Sequence, residues 1–326
     1  MKKKIAIMLV GLMCVSAAGC SFFGGNKSVD MDAINKEDIF TEISDDTVVD
    51  GSTAAEAFTK ALSAVEESDN ITITVSNNIT MGTEGQEDYQ NSLGESEIKL
   101  AKDGETQLGS VIIDNSYKYA SESTTGKNSV TEEKSKITGY YSGDTLYFIT
   151  NEGDKVKEEM GYEDFLGVVN TYSLSVYNDC ISKAACVEEK NGKTYYIAYD
   201  PAKFETTMNT NMEASGQTLA DGEAMHVKYA NIAAKLDNED NLIGYGFIID
   251  AEYVNDTATT AYNYSIKTGF SNRNSTEVDA VTNTDDYMTA DEYTQKMQNE
   301  AAGAEENQDG EAETAETNGV TEESTN

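Results

Sequence analysis

The chain has no tryptophan, and only one proline, one histidine and one arginine: Pro201, His226 and Arg273. A lone histidine with no nucleophile and acid at a readable motif spacing forms no triad. No second histidine or additional cysteine pair is present to complete a zinc site. Basic residues are scarce as well, 23 Lys plus Arg against 59 Asp plus Glu, for a formal charge of −36. Such a chain repels nucleic acid and anionic headgroups, so binding through a basic patch is excluded. No glycine-rich phosphate loop follows a strand and opens a helix. The oxygen-rich run Asp237–Asn241 lacks the twelve-residue calcium loop with its Gly and terminal Glu, and reads as a hairpin turn. The sequence therefore predicts a non-catalytic protein without cofactor or metal.

What is present begins at the N-terminus. Lys2, Lys3 and Lys4 precede an apolar run from Ile5 to Val15. This is the charged n-region and h-region of a secretory signal, too short for the ~20 residues that cross a bilayer. The run leads to Ala17-Ala18-Gly19-Cys20. Small residues before this cysteine resemble the lipobox of bacterial lipoproteins. The resemblance implies cleavage before Cys20 and a diacylglyceryl thioether on it, with Ala17 where a Leu is usual. The alternative is an ordinary signal peptide with Cys20 merely nearby. Loss of Lys2 to Lys4 with the signal takes the charge from −36 to −39. Two further cysteines, Cys180 and Cys186, would lie outside the cytoplasm, where a disulfide persists. A disulfide between them is expected, with two free thiols as the alternative.

Periodicity divides the rest. Residues 20–50 read as a flexible tether. Thr53 and Glu56 match a capping box, and Phe58, Leu62 and Val65 recur at i, i+4 and i+7 of a helix over 53–67. Alternation then sets in at Ile71, Ile73 and Val75, and turn signals follow at Lys102–Glu105 and Ser142-Gly143-Asp144. A second helix is expected over 162–183, with Phe165, Val168, Val169, Tyr172, Val176 and Cys180 on one face. Asn191-Gly192 predicts a type I′ hairpin. Asp200-Pro201 predicts an N-cap and first position for a helix over 201–213. Strands follow over 224–236, 242–254 and 258–270, then a C-terminal extension, 276–299, with a short helix. The acidic tail, 300–326, has almost no core former and is expected to be disordered.

The lipobox, the helix leading into strand Ile71–Met81, the segment Gly139–Phe148, and Gly192–Ile197 with the Lys235–Leu236 and Leu242–Gly244 strand pair together resemble the LolA/LppX-like lipoproteins. The resemblance covers roughly residues 50–275. It implies an α+β fold, a curved antiparallel sheet forming a half-barrel covered by helices, over 51–275. It also implies a lipid-like or other apolar ligand held between sheet and helices, with Phe58, Leu62, Phe165 and Val169 as expected cavity lining. The membrane is the partner through the Cys20 lipid, which sets an extracytoplasmic location. A cell-surface interaction protein with a filled core is the alternative, and the two differ by an apolar cavity of roughly a few hundred Å³.

Overall fold

The computed structural model describes residues 29–300 except 85, 88, 122–128, 215–221, 256–257 and 280. The signal, Cys20 and the acidic tail from 301 lie outside the described residues. Thirteen strands form one open sheet in the order β1-β8-β9-β10-β11-β12-β2-β3-β4-β5-β6-β7-β13. They are β1 Val48–Val49, β2 Ile71–Met81, β3 Gln90–Asp103, β4 Thr106–Ser121, β5 Ser129–Ser142, β6 Thr145–Ile149 and β7 Lys155–Glu159. The remainder are β8 Ile181–Glu189, β9 Gly192–Tyr199, β10 Ala224–Leu236, β11 Leu242–Val254, β12 Thr259–Ser271 and β13 Met288–Thr289. Helices α1 Gly51–Glu66, α2 Tyr162–Val169 and α3 Pro201–Ala214 complete the list with α4, 290–300.

The expected helix-covered half-barrel is overturned. The sheet does not close, since edge strands β1 and β13 are not neighbours. It is mixed, because β13 joins β7 in parallel. Size gives the physical reason. Thirteen strands at ~4.8 Å spacing make a sheet about 58 Å across, and the 16 residues of β4 extend about 53 Å. Helices of 16, 8 and 14 residues are only about 24, 12 and 21 Å long. They cover patches of one face, and the protein is dominated by its sheet.

Local chemistry explains most elements. The N-cap of α1 is Asp50, whose carboxylate accepts from the Ser52 amide at 3.1 Å, rather than the expected Thr53. Ala54, Phe58, Ala61, Leu62 and Val65 bury one stripe of α1 against the sheet. Strand alternation places Ile71, Ile73 and Val75 of β2 beside Ile98 and Leu100 of β3 on the same covered face.

The hairpin between β8 and β9 departs from the expected type. Glu189 pairs with Gly192, so Lys190 and Asn191 are the turn residues, and only Gly192 has positive φ, at +136°. A Cβ on Gly192 would collide with the carbonyl oxygen of Leu236 on β10. The glycine serves both a left-handed backbone and a close approach.

Three boundaries also shift. The helix expected over 162–183 stops at Val169, and residues 170–177 cross the covered face as an irregular, non-helical strap. The Tyr245 hydroxyl donates to the Tyr172 carbonyl oxygen at 2.7 Å and holds the strap down. The second part of the expected tether is folded: Val29, Ile34, Ile39 and Phe40 form a second core with Ala185, Ala233 and Ile248 on the other face of the sheet. The side-chain amide of Asn231 donates to the carbonyl oxygens of Ile34 and Lys36 at 3.0 and 2.8 Å. The C-terminal extension is integral too, through β13 and through Lys296, which pairs with Asp154 at 2.5 Å.

Candidate functional site

The four expected lining residues divide between packed core and the border of a small void. Phe58 is wholly buried and meets Tyr245 edge-on, ring centroids 5.4 Å apart. Leu62 is buried beside it in the same core. Phe165 stacks on Tyr141 at 4.8 Å, over Gly109 of β4, where a Cβ would strike the ring. These three belong to close-packed core. Val169 alone borders a void, a space of about 20 Å³ shared with Thr171, Val75, Val111 and Asn115. That is room for one water molecule.

A larger pocket lies on the other side of the strap. Its volume is about 360 Å³. The floor is Phe247 and Ile249 of β11, one wall is Leu174, Ser175 and Tyr177 of the strap, and α3 forms the roof. Asp200 accepts from the Lys203 amide at 3.0 Å and Pro201 occupies the first turn, which starts α3 as the sequence predicts. Phe204 anchors it. Its ring stacks on Tyr199 at 4.9 Å and meets Tyr177 and Phe247 edge-on. Glu205 adds a second tie by accepting from the Val227 amide at 3.0 Å. Phe204 is the only fully buried residue of the helix. One and two turns later Met208 and Met212 are half-buried and border the space. Flexible thioether side chains suit an adaptable apolar wall.

Polar groups converge only at the margin. The Asn211 amide donates to the Tyr177 hydroxyl oxygen at 3.0 Å. The Tyr177 amide is 3.4 Å from the Tyr199 hydroxyl. Burial pushes the Tyr199 phenol well above its ordinary value, and it pushes Tyr264, beside Phe247, up to about 12. Both stay neutral across physiological pH. No residue bordering the pocket carries a charge. The arrangement can hold an apolar group, but it offers no acid, base and nucleophile set.

Other expected features fall elsewhere. His226 is exposed, with Nδ1 3.4 Å from a Glu205 oxygen. Asp237 accepts from the amides of Glu239 and Asn241 at 2.9 and 2.8 Å and so builds its turn. The tyrosines divide by strand alternation: Tyr141, Tyr195, Tyr199, Tyr245, Tyr262 and Tyr264 face the helices, whereas Tyr140, Tyr147 and Tyr196 face away. Cys180 and Cys186 are free thiols, against the expected bridge. Cys180 is buried 3.3 Å from the Thr207 hydroxyl, and Cys186 lies six residues further on, in β8. Helix 162–183 would have brought the strap residues into one rod. Because Leu174 to Tyr177 are irregular instead, periodicity hid one pocket wall, while Phe204 and Met208 were legible at i and i+4.

No family model matches the chain, and no curated protein matches it. A solved structure with some likeness is a porin-like protein from Bacteroides uniformis, at 8% identity and a TM-score of 0.14. It covers 63% of this chain and 96% of that chain. A likeness this weak carries no argument.

Proposed function

We propose that the protein is a lipid-anchored, extracytoplasmic binding module that holds a lipid-like or other apolar ligand and performs no chemistry. The pocket beneath α3, about 360 Å³ with apolar floor and roof, carries this reading. It lies within the ~300–1,000 Å³ of small-molecule sites. The role is the one implied by the resemblance to LolA/LppX-like lipoproteins. The lipobox supports the anchor: with lipid on Cys20, nine chain steps lead to Val29, where the packed segment begins. Fully extended they span about 30 Å, which keeps the domain beside the bilayer.

The filled core beneath α1 favours a second reading, a cell-surface interaction lipoprotein without a small ligand. One experiment separates them. Protein taken from its native membrane is expected to show bound lipid by native mass spectrometry. Met208→Asp, compared at matched folded fraction, is expected to lose it, because an unpaired carboxylate in an apolar site is costly. Wild-type protein that carries no lipid and takes up no fluorescent apolar probe would sink the carrier reading in favour of the second. Cys20→Ala is expected to move the protein from the detergent phase to the aqueous phase, or to leave an uncut precursor.

A further inference from the structure

We propose that the pocket beneath α3 takes a single-chain amphiphile with an uncharged polar head, of the monoacylglycerol kind, and discriminates against free carboxylates. The proposal rests on the carrier reading and specifies its ligand class. Size narrows the occupant first. About 360 Å³ is at the small end of the usual range and the pocket opens to solvent on one side, so it suits part of a single chain, whose remainder and head lie at the mouth.

The margin then selects the head. Asn211 and Ser175 are the polar side chains that border the space, with the Tyr177 hydroxyl beside them. Because that hydroxyl accepts from Asn211, its own hydrogen points to another acceptor, and the Asn211 carbonyl oxygen takes another donor. A donor and an acceptor therefore stand side by side. A glyceryl hydroxyl is both donor and acceptor and matches this pair. A carboxylate offers acceptors only, so it can engage the Tyr177 hydrogen but not the Asn211 oxygen, which stays with water.

Charge selects in the same direction. None of the residues bordering the pocket is cationic. Lys203 is on α3 but exposed, well around the helix from Met208. The chain as a whole carries −36, so an approaching anion is repelled and finds no counter-ion on arrival.

The test uses delipidated mature protein. At about pH 8 a fluorescent apolar probe is displaced with a long-chain monoacylglycerol, the fatty acid of the same chain, and the corresponding lysophosphatidic acid. The monoacylglycerol is expected to bind at least about ten-fold more tightly than either anion. Equal or tighter binding of the fatty acid overturns the head-group assignment and leaves the carrier reading standing. If neither the probe nor any amphiphile binds, both fail. Asn211→Lys adds a cation at an exposed position without touching the core. It is expected to reverse the preference toward the fatty acid, and an unchanged ratio would place the head group elsewhere and overturn the proposal.

Discussion

The Tyr245 hydroxyl on β11 reaches across the covered face and donates to the Tyr172 carbonyl oxygen at 2.7 Å, both residues being buried. This buried bond is one of the ties on the strap that separates the large pocket from the packed core. Replacement by Phe keeps the ring contacts with Phe58 and Phe270 but strands a buried carbonyl. Tyr245→Phe is expected to lose about 1–3 kcal/mol in urea denaturation. Hydrogen exchange over 170–177 should rise with it. A stability change below about 0.5 kcal/mol would show that the bond does not hold the strap.

Asn231 performs a similar task on the opposite face. Its amide is buried and serves the Ile34 and Lys36 carbonyls together. Asn231→Ala removes both bonds and is expected to cost about 2–4 kcal/mol. Limited proteolysis should then cut within residues 29–44 before it cuts the sheet. Unaltered protection of that segment would mean the apolar contacts of Ile34 and Phe40 suffice alone.

The two thiols should remain separate. Six residue steps, most of them along β8, place them roughly 20 Å apart, beyond the ~7 Å that a disulfide tolerates between Cα atoms. Mature protein denatured without reductant is expected to take two alkyl groups at Cys180 and Cys186. The Cys186 thiol should react slowly in the folded state, since burial chiefly pushes its pKa up, with Glu188 adding in the same direction. An intact mass two hydrogens lighter, with no alkylation, would contradict the structure.

Gly192 is the most demanding backbone position of the clearest hairpin. Gly192→Ala must strain a φ of +136° and push Leu236 of β10 away. The expected loss is at least about 2 kcal/mol, read as a lowered denaturation midpoint. Asn191→Ala in the same turn, where φ is ordinary, should cost much less. Equal effects would restore the type I′ geometry that the Asn-Gly pair suggests.

The sequence alone determined what depends on neighbours a few residues apart. The α1 stripe, the Asp200-Pro201 start of α3, the Lys102–Glu105 and Ser142–Asp144 turns, and strands β10 to β12 were all legible, because period, cap and turn chemistry are local. So was the charge. The tertiary structure decided the rest. Tyr172 and Val176 show helical spacing, yet the strap is not helical, because a partner 73 residues away takes the Tyr172 carbonyl. Residues 29–44 look like linker, yet they pack, because Asn231 and Ile248 supply a surface that no local pattern announces. Sheet width and openness follow from how thirteen strands pair, which no single strand encodes. The pocket arises for the same reason: it is the space left where α3, pinned at Phe204, stands away from a sheet built from distant parts of the chain.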